Sequence, residues 1–497
     1  MRCDGYGVRL KWPDDQETGP CRRPLTLFST WDDAFLHSNA EIDELLKQLD
    51  NLVPEDELSA GPFSVFSCGS KQLLQSSVPA EECAFPTDEV QYAWSASPEP
   101  HRPLPSVSQT PYYPLNLPST GSSAETDVGN LSEQHELLRT WTGRLCHLMT
   151  PIPQHMNIFN DIITPLALEA LQDPESLPHS SLLHAILALT AFWQDNISSQ
   201  QSHHRGRRYL DSSLSLLTRC LEQYTSHHVT LAAISVLLVI PAFMAEDSAW
   251  RVHMRGGIAW LQSVDPDVWE LSASSISLLQ LFGFYEALSA WGVTSDDGPI
   301  SPGFGDNTTW RLYNVLGITR DIVTCIREVN RCLQRTMPGK EELDELELKI
   351  YRSAPTRRLV PGLDEDCSEL AYLSALLYYY ATHLYFSRCL KRVPISTVQR
   401  FVRPTISLIR RIQELEEKYD VSGILWPYVV IACEALDTET RLVIMRHLDH
   451  RQMQGIANSM SARRLILTVW REREDETSDE KTWIDILLRD GSDLLLL

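Results

Sequence analysis

The chain has 497 residues, with 66 acidic and 43 basic side chains, a formal net charge of −23 and 43% hydrophobic residues. A charge of that sign repels phosphate, so contact with nucleic acid needs a separate basic module, and the apolar content excludes a chain disordered throughout. No apolar segment follows Met1 to suggest a secretory signal, and the apolar run 231–245, broken by Ser235 and Pro241, falls short of the roughly 18 to 20 residues that a membrane span needs. The expectation is an intracellular chain with no membrane contact.

Eleven cysteines are scattered from Cys3 to Cys433 without a Cys-x-x-Cys pair, which fits neither a disulfide framework nor an intact zinc site. Most are expected to be buried thiols. Asn130, Asn196 and Asn307 open glycosylation sequons that read as chance matches in such a chain.

The N-terminal part is poor in helical periodicity. Residues 31–60 set nine acidic residues, among them Asp43, Glu44 and Asp50, against the single Lys47, with Phe35, Leu45, Leu46, Leu49, Leu52 and Val53 between them. Acidic residues alternating with large apolar ones are the composition of a disordered activation segment. An amphipathic helix docked on the main domain, or pairing weakly with a second copy, fits equally well, since Ile42, Leu45, Leu49 and Leu52 follow helical spacing. Residues 61–121 hold ten prolines mixed with serine and read as a flexible linker. Residues 13–130 are thus expected to be an acidic, Pro/Ser-rich and largely disordered region.

From Leu131 the apolar residues recur at helical intervals, and strand-like alternation is nearly absent. The fold class expected is all-α, a large irregular helical domain over 131–497. Leu138, Trp141, Leu145 and Leu148 form a first stripe ended by Pro151, and Leu182, Ile186, Leu189 and Trp193 a second. A third helix carries Tyr209, Leu214, Leu217 and Leu221; the run after His228 is a fourth, buried one. Further helices are expected at 250–261, 276–291, 309–333, 340–352, 369–390, 395–420, 425–436, 439–448, 453–471 and 481–489, with a Gly-, Asp-, Ser- and Pro-rich loop at 292–307. The absence of a fixed period argues against a regular solenoid.

Catalytic signatures are missing. Gly303-Phe304-Gly305 lacks a third glycine and a preceding strand, Gly339-Lys340 lacks the rest of a phosphate loop, and no G-x-S-x-G elbow occurs. His447 and His450 could share a helix face, and His203-His204 and His227-His228 could in principle join a metal site, yet no third ligand stands at a defined spacing. These read as surface or helix-end histidines. Arg205, Arg207 and Arg208 read as a solvated helix face rather than a phosphate site. Trp250, Trp260, Trp426, Trp470 and Trp483 read as core aromatics, and the Gly256-Gly257 pair as a close helix crossing or a helix end. Glu434 lies in an apolar stretch and, if buried, needs a partner such as Arg441, two helical turns on.

Several strings resemble the regulatory domain of fungal zinc-cluster (Zn2Cys6) transcription factors over about 131–497. They are Asn157-Ile158-Phe159, Ile163-Thr164-Pro165-Leu166-Ala167 and the stretch from Leu182 to Ala191; then Trp250-x-x-His253-x-x-Gly256-Gly257 with Trp260-Leu261; and, in the same order toward the end, Trp426-Pro427, residues 431–435, Arg441, Trp470 and Trp483. At the other end, the stretch from Cys3 to Trp12 resembles the tail of the family's six-cysteine module, with Cys3 as its sixth ligand and no counterpart of the other five.

The resemblance implies a nuclear regulator of primary or secondary metabolic genes transcribed by RNA polymerase II, with the transcriptional machinery or co-regulators as partners and a homodimer possible. It implies zinc in the intact module, but one thiolate cannot hold a fold whose folding energy is its metal binding. The expectation is therefore a chain without cofactor and without tight duplex affinity, promoter DNA being a partner only if the cluster lies upstream. Residues 1–12 are then the end of a zinc module, cut off by a start placed too late or by a real truncation. Two rivals remain open: a homologue that acts through protein partners without touching DNA, and a helical small-molecule-binding protein or enzyme, which would need a pocket with convergent polar groups.

Overall fold

Regularly spaced apolar side chains draw this chain into helices, and no strand occurs among the described residues of the computed structural model. The structure describes residues 125–496 except 154–156, 199–202, 224–225, 245–249, 266–268, 270–271, 290–308, 336–337, 358–361, 476–480 and 491–493. Cys3, the acidic segment 31–60, the linker 61–121 and the loop 292–307 lie outside the described residues.

Helix α1 (Glu125–Thr140) runs through a π-helical turn, Trp141–Leu145, into a last short turn, Cys146–Leu148. A second π-helical stretch, Ile158–Ile163, runs without a break into α2 (Thr164–Leu168), and Pro165 just past the junction has no N–H to give to the preceding turn. Asn157 caps the stretch, its side-chain oxygen accepting from the Phe159 and Asn160 N–H groups while its amide donates to the Cys146 carbonyl at 2.9 Å. The two π segments are tied together, since Trp141 Nε1 donates to Thr164 Oγ1 at 2.7 Å and that hydroxyl donates to the Phe159 carbonyl. No helix was expected over 158–168, because an i→i+5 turn does not follow the 3.6-residue period.

Helices α3 (Leu177–Ile197), α4 (His204–Gln223) and α5 (His227–Val239) pack together. The α3–α4 approach is close: Ser181 and Ser213 each donate to the other's carbonyl, and a Cβ at Gly206 would lie 2.8 Å from the Phe192 ring. Helix α5 is the expected buried apolar run, and Pro241 turns the chain after it. No helix among the described residues is long and apolar enough to cross a membrane. Helices α6 (Trp250–Ser263) and α7 (Ala273–Ser289) follow. Gly257 marks a helix crossing, for a Cβ there would meet Phe282 at 2.9 Å and Ile234 at 3.0 Å, whereas Gly256 faces open space.

The single helix expected over 309–333 is two. Helix α8 (Tyr313–Leu316) ends at Gly317, whose φ of +64° suits glycine, and Thr319 caps α9 (Arg320–Gln334). Helix α10 (Lys340–Arg352) precedes α11 (Glu365–Tyr385), which runs on through a π-helical turn, Phe386–Leu390. The helix expected over 395–420 is also divided, into α12 (Ile395–Val402) and α13 (Thr405–Tyr419), by Pro404, which has no N–H to continue the ladder. Helices α14 (Trp426–Glu434), α15 (Thr438–Met453), α16 (Asn458–Asp475) and α17 (Trp483–Asp490) complete the set. The last long break falls at Gly455, with φ +83°, rather than before Met453.

One continuous core runs from Leu137 to Leu496, and all five expected tryptophans are buried in it. Polar links join distant parts of the chain. Tyr385 donates to Asn330, which donates to the Ala287 carbonyl, connecting α11, α9 and α7. Trp193 and Asn196 on α3 donate to the Gln454 and Gly455 carbonyls of the α15–α16 turn.

Candidate functional site

Two buried carboxyl groups organise the C-terminal helices. Glu434, the last residue of α14, is 1% exposed. Its carboxylate accepts from Arg388 Nε at 2.8 Å and from Arg473 Nη2 at 3.1 and 3.2 Å. The expected partner, Arg441, does not reach it; the chain leaves the helix at Ala435, and Arg441 Nε donates to the Ala435 carbonyl at 3.0 Å. Carbonyls at the end of α14 are otherwise orphans. Trp470 donates to that of Ala432, Arg473 to that of Cys433 and Gln399 to that of Glu434. The π-helical turn at 386–390 carries Arg388 into this cluster.

Glu416, on α13, is 2% exposed and is held differently. Its Oε1 accepts from the Gly423 N–H at 2.7 Å, and its Oε2 lies 3.6 Å from His447 Nδ1. His447 stacks on Tyr428 with ring centroids 3.8 Å apart, and neither of its nitrogens has a hydrogen-bond partner. Burial pushes the Glu416 carboxyl up to about 8 and holds His447 well below its ordinary value, so both are uncharged near neutral pH. Arg451, 3% exposed in the last turn of α15, keeps its charge. Its Nη1 donates to Ser422 Oγ at 2.9 Å and to the Gly423 carbonyl, while its Nε has no partner.

Arg451 also lines a cavity of about 50 Å³ where three stretches of chain converge. Leu148 and Phe159 come from the two N-terminal π segments and their flanks, Val239, Ala242 and Tyr285 from the ends of α5 and from α7, and the Ser422–Ile424 loop closes the third side. That loop is anchored by Ser422 N–H, which donates to the Leu148 carbonyl at 3.2 Å. A smaller space of about 10 Å³ adjoins it, sharing Leu316, Gly423 and Ile424 and bordered by Tyr378 and Pro427. Here a hollow meets a buried guanidinium that is bonded to no carboxylate, the nearby Glu416 being held on the Gly423 N–H. None of its walls was singled out as a site from the sequence, because Phe159, Val239 and Arg451 are far apart along the chain and each reads as ordinary core or surface.

Other expected candidates are placed elsewhere. Cys3 lies outside the described residues. His203 packs on Phe192, and His227 on Trp260 and Trp269. Arg205 pairs with Asp195 at 3.0 Å and Arg208 with Glu133. Among the described residues no three His, Cys, Asp or Glu side chains are grouped to hold a metal ion. The seven described cysteines are buried, and burial pushes the thiols of Cys146, Cys325 and Cys367 up to about 12. These residues do not fit a zinc cluster.

No curated protein and no solved structure matches the sequence. The model of the fungal specific transcription factor domain matches residues 136–497, from within α1 to the end of the chain, and the chain therefore belongs to that family of fungal transcription regulators.

Proposed function

We propose that this protein acts in the nucleus, where it sets the transcription by RNA polymerase II of genes for primary or secondary metabolism. The observation that carries the reading is the family match over residues 136–497. The helical domain is the part that receives a signal or a partner, and the segment 31–60, with its alternation of acidic and large apolar residues, is the part that meets the transcriptional machinery or a co-regulator. Contact with promoter DNA belongs to a zinc module ending at Cys3 or to a partner that carries one, since a chain of net charge −23 gains little from phosphate by itself. Pairing of two copies would give such a complex two-fold symmetry.

The test tethers the full chain, through an unrelated DNA-binding domain, to a reporter promoter. Reporter output is expected to change several-fold, and Leu45→Ala with Leu49→Ala is expected to return it toward baseline with protein amount unchanged. An expressed fusion that leaves output unchanged would reject the regulatory reading; output that survives both substitutions would move the active surface to the helical domain.

A further inference from the structure

A cation buried among apolar side chains without a bonded carboxylate is unfavourable until an anion joins it. Arg451 is in that position. Its Nη1 donates to a hydroxyl and a carbonyl, its Nε has no partner, Glu416 attracts it without bonding to it, and the helix end beneath it supplies only partial negative charge. Glu416, which shares Gly423 with it, spends its oxygens on the Gly423 N–H and on the side facing His447, and burial keeps it protonated up to about pH 8. The cavity that Arg451 lines is walled mostly by apolar groups, including Leu148, Phe159, Val239, Phe243 and Leu316, with Tyr285 and Ser422 as the other polar side chains.

We infer that this cavity is a binding site for a small aliphatic monocarboxylate, its carboxylate against the guanidinium of Arg451 and its tail among Phe159, Val239 and Phe243. Size limits the class. One water needs about 10–15 Å³ by the same measure, so the space takes about three to five heavy atoms, which is acetate or propionate. A bare inorganic anion would satisfy the charge and leave the apolar walls unused, and a neutral amide would do the reverse. A ligand there would touch the N-terminal π segments, the end of α5 and the α13–α14 loop at once, and so stabilise their convergence. This binding goes beyond the regulatory reading and is read on the protein alone.

Calorimetric titration of the full 497-residue chain with sodium propionate tests it, with sodium nitrate and propionamide at matched ionic strength as the other arms. Saturable binding of propionate is expected, at least tenfold tighter than either alternative. Ala242→Leu, which fills part of the cavity and leaves Arg451 in place, is expected to abolish binding while the chain still melts cooperatively; Ala242→Val serves if the leucine prevents folding. Arg451→Lys is expected to weaken binding about tenfold, since the planar fork is lost and the charge kept. No binding of propionate, equal binding of propionamide or nitrate, or binding undiminished in a folded Ala242 variant would each overturn the assignment.

Discussion

Glu434 and Glu416 are both buried next to arginines, yet their surroundings deal with charge in opposite ways. At the end of α14 two guanidinium groups meet one carboxylate, and nearby donors also take up the carbonyls with which the helix ends. At the α13–α14 loop, Glu416 faces an N–H and a neutral imidazole, and Arg451 is left to a hydroxyl, a carbonyl and a hollow. The first arrangement fixes how α11, α14 and α16 meet, with Arg473 Nε left without a hydrogen-bond partner. The second has spare capacity for an anion. Burial of a charged residue therefore does not by itself mark a site; a buried cation without a bonded carboxylate, on the wall of a hollow, does.

Among single substitutions that test this comparison, Arg388→Met is expected to have the largest effect. Removing the arginine leaves Glu434 with Arg473 alone and the Val393 carbonyl without its donor, and a loss of about 1.5–3 kcal/mol in urea unfolding is expected. A loss under about 1 kcal/mol would mean that the Glu434 cluster is not a structural keystone.

The second way uses pH. Glu416 has its folded value raised to about 8 from 4.5, so the folded chain holds a proton that the unfolded chain has released. Stability therefore falls as pH rises through this interval, by up to about 1.4 kcal/mol per pH unit for one proton. His447, held low, has the opposite sign and lowers stability only as pH drops below about 6.5, which leaves pH 6.5–8 as the window for Glu416. Denaturant titrations across that window should show the decline in the wild type and a flatter profile in Glu416→Gln. An unchanged slope in the variant would assign the decline to another group.

Smaller effects sharpen the contrast. Gln399→Ala removes a donor to the Glu434 carbonyl and an acceptor from the Leu436 N–H, and about 1–2 kcal/mol of stability should go with them. Arg410→Ala breaks an exposed pair with Glu439 and should cost at most about 1 kcal/mol, often nothing measurable. If Arg410→Ala cost as much as Arg388→Met, burial would not be what separates these ion pairs.

The helical class was legible because stripes such as Leu182, Ile186, Leu189 and Trp193 repeat at the helical period and land in the core. The breaks were less so. Pro404 and Gly317 divide stretches whose apolar pattern runs straight through them, and the π turns shift the register by one residue, which hides the helix at 158–168. Gly257 was readable as a crossing, but nothing local separates it from Gly256; the ring of Phe282 on another helix does. Glu434 was readable as a buried acid in need of a base, while its true partners, Arg388 and Arg473, are 46 and 39 residues away. The cavity gave no local signal at all, because it is made by the meeting of segments and not by any one of them.

Regulation of transcription by this family member is read by comparing transcript levels, genome-wide, in cells that lack the chain and in the same cells resupplied with all 497 residues. The account predicts a coherent set of metabolic transcripts that shifts several-fold on loss and returns on resupply. Transcript profiles that are indistinguishable in the two, with the protein demonstrably present after resupply, would contradict it.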